Sequence, residues 1–434
     1  MLPVTVLAAD ISPADGYNDH DYAAIRAFLE TEVDSIKNGA RIGSYYDADN
    51  PSTWPGITWN SDAEKRVTIV DFGMYNVAGP LDVSECSALT TIFCQHTQVT
   101  SLNASGCTSL QSIFCGNNSL SSFDISGCTA LEILSCGVNL LSSLDVSGFT
   151  VLSDLYCESN SLTSLNVGTN TALQTLSCNS NQLTALNVSG CTALTSLVCN
   201  SNELTLLDVS GCSALTSLIC NSNELTSLDV SGLTALQILT CNINHLTSLD
   251  VSHFTALQRL QCDDNSMTEL DVSGCTAFEQ LICNKNSLTE LDVSESTGLK
   301  LLQCDHNQIA SLDVSNHTAL TNLICAYNSL ISLDVGGCTH LTSFYCNNNV
   351  LTSLDVSSGF TALRFLVCDN NLLESLDTSK LTALQILRCG NNLLSSLDVS
   401  NCNVLTELDC SHNQLEALDL STCTALTELA CSYN

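Results

Sequence analysis

From about residue 67 onward, leucine and cysteine recur on a fixed beat. Residues 215–235 read LTSLICNSNELTSLDVSGLTA, and nearly the same 21-residue phrase fills the chain to its end. In the first half of each unit, L-x-x-L-x-C, leucine and cysteine alternate with a freely varying residue, the period of two that makes a strand with one buried face. The marker cysteine falls at Cys94, Cys115, Cys136, Cys157, Cys178, Cys199, Cys220, Cys241, Cys262, Cys283, Cys304, Cys325, Cys346, Cys368, Cys389, Cys410 and Cys431, always 21 residues on except for the 22 between Cys346 and Cys368. The second half, LTSLDVSGCTA, repeats the L-x-x-L-x-apolar spacing and has no 3.6 period, which predicts a second short extended segment and no helix. Units stacked in register give a solenoid with a parallel sheet on one face and extended or turn segments on the other. One degenerate and seventeen clear units, at ~4.8 Å each, predict a body on the order of 85 Å long. A coil touches only its neighbours, so both ends need caps.

The periodicity changes near the amino terminus. Residues 19–36 read as an amphipathic capping helix with Ile25, Phe28, Leu29 and Val33 toward the core. A Pro-rich loop with Trp54 and Trp59 follows and leads into RVTIVDF, so a cap is expected over 19–66 and repeats over 67–434. Residues 1–18 begin MLPVTVLAAD and are expected to be a leader remnant or a disordered terminus. The chain stops at Asn434 in mid-unit, and the expectation is that it lacks a C-terminal cap and that the natural polypeptide continues.

Three residues after the marker cysteine stands an asparagine: Asn118, Asn139, Asn160, Asn181, Asn202, Asn223, Asn244, Asn265, Asn286, Asn307, Asn328, Asn349, Asn371, Asn392, Asn413 and Asn434, with Thr97 the exception. A position filled so regularly is structural, and its amide is expected to bond the backbone of its own and the next coil. The pattern LxxLxCxxN resembles the leucine-rich repeat signature. In its nested form, LxxLxCxxNxLxxLDVxxx, it is similar to internalin-like bacterial leucine-rich repeat proteins, and the order of helix, tryptophan loop and RVTIVDF looks like the amino-terminal cap of secreted members. That resemblance implies an exported, noncatalytic module for adhesion or protein recognition, at the cell surface or outside the cell.

Composition narrows the partners. Against 45 acidic side chains stand 11 basic ones, a net charge of -34, which argues against nucleic acid and anionic membranes. No apolar run reaches the ~18 residues that span a bilayer. The 26 cysteines contain no CxxC; their spacing is that of the repeat, so they read as small buried hydrophobes. Cys86, Cys107, Cys128, Cys191, Cys212, Cys275, Cys338, Cys402 and Cys423 share an inward slot in the second half with Phe149, Leu233, Phe254, Phe360 and Leu381.

A second ladder is acidic, running from Asp208 through Asp229, Asp250 and Asp271 to Asp419 in the LDV motif, with Asn103, Asn166 and Asn187 replacing it in three units. Carboxylates ~4.8 Å apart repel by about 0.9 kcal/mol per pair in water. Either the following turn donates backbone N–H groups to each, or bound Ca²⁺ bridges neighbours. The asparagine replacements favour the turn, so no cofactor is expected, with Ca²⁺ on this ladder the alternative. The histidines are scattered, and no HExxH, GxSxG, Walker A or GxGxxG motif occurs. No enzyme is expected. A carbohydrate-active enzyme or carbohydrate binder on a β-solenoid, and a Ca²⁺- or ice-binding repeat surface, are the rival readings.

Variation between units points to a face. The residue before the marker cysteine is the most varied, running through Phe93, Phe114, Ser135, Tyr156 and onward to Tyr345 and Arg388; the same face carries Arg259 and Phe365 two residues earlier. Phe93, Phe114 and Tyr156 are expected to form one aromatic strip, and Tyr327, Tyr345 and Phe365 another. The expected partner is another protein, a cell-surface protein or a glycan, bound by a monomer through the L-x-C sheet.

Overall fold

A computed structural model of the chain describes residues 16–168, 170–357 and 359–434. Most of the segment 1–18, as far as residue 15, lies outside the described residues. Gly16 to Asn18 are tied to the cap instead of trailing free: Tyr17 bridges Lys65 and packs edge-on against Trp59 at 4.9 Å. The chain forms two compact units, one ending at Cys212 and one beginning at Ser213.

In the first unit, helix α1 (Asp19–Leu29) starts at Asn18, whose side chain accepts the Asp21 N–H at 3.2 Å. Tyr22, Ile25, Phe28 and Leu29 are its buried face. The expected helix over 19–36 is too long. Asp34 and Ser35 take φ of 51° and 64°, turning Glu32–Val33 back antiparallel onto Ile36–Lys37. A turn with both central residues at positive φ is the usual two-residue hairpin, and it cannot continue a helix. Val33 therefore lies half-exposed in the hairpin and not in the helix core. A short helix α2 (Asn38–Ile42) follows.

The cap closes on the first coil with aromatic rings. Phe28 stacks on Phe72 at 4.9 Å, and Trp54 stacks on Tyr22 at 5.0 Å. Phe72 holds the marker-cysteine slot of the degenerate unit. Strand Ile57–Trp59 runs antiparallel to Val67–Asp71 and covers the edge of the parallel sheet. That sheet continues through Thr91–Phe93, Ser112–Phe114, Ile133–Ser135, Asp154–Tyr156, Thr175–Ser177 and Ser196–Val198. On the other side Ala78–Asp82, Gln98–Asn103 and Ser122–Asp124 pair in parallel, and shorter pairs follow.

The second unit repeats the plan from Ser217–Ile219 to Glu428–Ala430. Leu239, Leu260, Leu281 and Leu302 align in register, fully buried beside Cys241, Cys262, Cys283 and Cys304. The one step of 22 leaves the register intact, Phe344 facing Leu366 and Leu366 facing Leu387, so the added residue is absorbed outside the strands. Among the described residues no helix occurs within the repeats, and no helix is long and apolar enough to cross a membrane.

Candidate functional site

What turns the chain out of the sheet fixes which side chains are free. Two residues after each marker cysteine, every coil from His96 to Tyr433 holds a non-glycine residue at φ between 50° and 59°. The next residue is the ladder asparagine. In Asn244, the amide group donates to the carbonyls of Cys241 at 3.0 Å and Cys220 at 3.2 Å, while its oxygen accepts the Leu225 N–H at 3.0 Å. Asn181 repeats this with Cys178, Cys157 and Leu162. The bonds thus reach to the asparagine's own coil and to the preceding one, where the next coil was expected. Thr97 substitutes partly, its hydroxyl donating to the Cys94 carbonyl at 2.9 Å.

The LDV aspartates use the turn. Asp229 accepts the Ser231 N–H at 3.0 Å and Asp250 accepts that of Ser252 at 2.8 Å, and Asn103 and Asn187 make the same bond to Ser105 and Ser189. The inward slot of the second half does more than fill space. The thiols of Cys107 and Cys275 donate to the carbonyls of Val83 and Val251 in the preceding coils, at 3.0 and 3.2 Å. Asn170, Ser296 and His317 occupy that slot and contact preceding-coil carbonyls in their place. These three were missed in the sequence; counting along the period would have placed them.

The cysteines are free thiols, and all but Cys431 are buried. Burial pushes the thiols of Cys94 and Cys220 up to about 12, far from the thiolate form a nucleophile or metal ligand needs. Among the described residues no three His, Cys, Asp or Glu side chains converge on a metal position.

On the outer face of the L-x-C sheet, Phe93 and Phe114 are half-buried and stack nearly parallel, with centroids 5.1 Å apart and planes 9° apart. Tyr156 lies in the same column two coils along, with Ser135 between, so the expected strip is a stacked pair and a separate ring. In the second unit Tyr345 faces Val367 and Phe365 faces Ser343, placing the two rings diagonally on neighbouring strands. Tyr327 is not with them. It sits in the turn at φ 52°, stacked on His306 at 4.3 Å, because it follows its marker cysteine by two residues and so falls in the left-handed column. Arg259 is exposed and donates to Gln261 at 3.2 Å, and Arg388 pairs with Glu407 at 2.6 Å.

Comparison with known proteins places this geometry. The functional domain of InlJ from Listeria monocytogenes, which includes a cysteine ladder, is 35% identical over 75% of this chain and 68% of its own, with a TM-score of 0.60. The chain belongs to the internalin-like leucine-rich repeat proteins. YopM from Yersinia enterocolitica, at 23% identity over 81% of this chain and 80% of its own, has the same fold at a TM-score of 0.63. A leucine-rich repeat protein of Leptospira interrogans, LIC12759, matches at 23% identity over 74% of this chain and 90% of its own, with a TM-score of 0.56. No protein-family model matches the internalin-like chain, and no curated protein does.

Proposed function

We propose that this internalin-like array is a noncatalytic recognition module of an exported bacterial protein, which holds another protein against the outer face of its L-x-C sheet. The observation that carries this is the stacked, half-exposed pair Phe93 and Phe114 on a sheet whose inner face is fully packed beneath them, at Ile92 and Ile113. Two rings already in van der Waals contact lose little freedom on binding, so a partner gains apolar area at low entropic cost. Ser135 sets a small side chain between this pair and Tyr156 in the same column. Fold residues occupy every inward position, while the outward column varies from coil to coil, as a surface matched to one partner does. The buried thiols, held in their protonated and unreactive form as at Cys94, favour binding over catalysis.

The test is a binding screen of the purified chain against extracellular proteins and glycans, beside a Phe93→Ala, Phe114→Ala, Tyr156→Ala variant of unchanged circular dichroism. A protein ligand lost by the variant establishes the reading. A ligand kept by the variant moves the site to Tyr345 and Phe365 or to the acidic side. A glycan as the sole ligand replaces protein recognition with sugar stacking.

A further inference from the structure

In four consecutive coils of the second unit, the residue after the marker cysteine hides an oxygen that nothing satisfies. Asn242, Asp263, Asn284 and Asp305 are 8%, 9%, 7% and 9% exposed, and the Oδ1 atom of each is buried with no hydrogen-bond partner. Buried acceptors are almost always paired, and leaving one bare is costly. Four bare acceptors at the same atom of the same repeat position are a built feature of the sheet margin.

Their alignment is fixed by the backbone. The strands before them are in register, and beyond the strands the N–H groups of Ile243, Asp264 and Lys285 donate to the carbonyls of Asp263, Asn284 and Asp305 at 3.0, 3.1 and 2.9 Å. Equivalent oxygens on adjacent strands therefore repeat every ~4.8 Å. A cation midway between two of them lies ~2.4 Å from each, within the range for Ca²⁺ and too long for Mg²⁺, which demands about 2.1 Å. The order Asn, Asp, Asn, Asp gives each such seat one carboxylate and one carboxamide, and keeps any two carboxylates two coils apart. Lys285 pairs away from the file, with Asp264 at 3.2 Å, whereas His306 contacts Asp305 itself, at the other carboxylate oxygen at 2.7 Å, and leaves Oδ1 unpaired.

We propose that the file Asn242, Asp263, Asn284 and Asp305 is a Ca²⁺ site at the margin of the L-x-C sheet, separate from the LDV aspartates. Calcium there ties consecutive coils together through side chains where the strands end.

The experiment titrates CaCl₂ and MgCl₂ into the chelator-treated 434-residue chain by calorimetry, with Tm followed in parallel. Variants Asp263→Asn, Asp305→Asn and Asp271→Asn are compared after circular dichroism confirms folding. Calcium is expected to bind and raise Tm, and magnesium to do so far more weakly. Asp263→Asn and Asp305→Asn each weaken calcium binding by at least about tenfold, since loss of even an outer-shell partner costs that much, and Asp271→Asn leaves it unchanged. A chain that binds no calcium overturns the proposal, and means that the asparagine amides turn to donate to the carboxylates or that water fills the file. Binding lost in Asp271→Asn and kept in Asp263→Asn also overturns it, placing the ion on the LDV ladder.

Discussion

Ile243 is β-branched yet held at φ 54° with its side chain 51% exposed. Left-handed backbone costs an L-residue roughly 1–2 kcal/mol and a β-branched one most, while asparagine tolerates it. Ile243→Asn is expected to raise stability by about 1 kcal/mol in urea unfolding; Asn117, Asn348, Asn370 and Asn391 already fill this column. The adjacent Asn244 has the opposite sensitivity. Asn244→Ala strands the Leu225 N–H and takes one of two amide donors from the Cys220 carbonyl, which keeps that of Asn223, and should cost about 1–3 kcal/mol by the same measurement. Acid reads the LDV column. The Ser231, Ser294 and Ser400 N–H groups, and secondarily their hydroxyls, hold Asp229, Asp292 and Asp398 below the usual carboxylate range. Their contribution is complete above the unfolded value of ~3.9 and is lost as pH falls through the lower folded values. The urea midpoint should therefore decline below about pH 4, and less steeply when several of these aspartates become asparagine, which keeps the turn bond as Asn103 does. The asparagine and aspartate columns were legible because each occupies one phase of the repeat. The left-handed column was not, because its occupants share a backbone angle and no chemistry.

At the scale of the element, the strands and their faces could be read from alternation alone, since leucine and cysteine have no other place to go. The cap could be read only in part. A 3.6 period marked α1, but apolar Val33 falls in phase with it, and only the Asp34–Ser35 turn ends the pattern. Tyr327 was misplaced for a similar reason: aromatic character suggested the sheet, while its distance from Cys325 assigns it to the turn. The stacking of Phe93 on Phe114 depends on in-register neighbours 21 residues apart, which the repeat did foretell. The buried thiols give this scale its prediction. Under native conditions a soluble alkylating reagent should label Cys431 and leave the others untouched, and all 26 should react once the chain is denatured. Mass spectrometry of the labelled protein counts them.

For the whole molecule, charge and repetition dominate. A net charge of -34 makes the folded chain repel itself, and the screening length shrinks from ~30 Å at 0.01 M salt to ~8 Å at 0.15 M. The urea midpoint should rise as sodium chloride is added over that range. Because each coil leans only on its neighbours, the stack tolerates a change in length that a closed core does not, as the 22-residue step between Cys346 and Cys368 already demonstrates. The left-handed column then acquires a practical meaning. Within either unit it offers one outward-facing attachment point per coil, excused from packing and locked in angle by its neighbours. Dyes or spin labels placed there would stand at known multiples of ~4.8 Å, a spectroscopic ruler graduated by the protein itself.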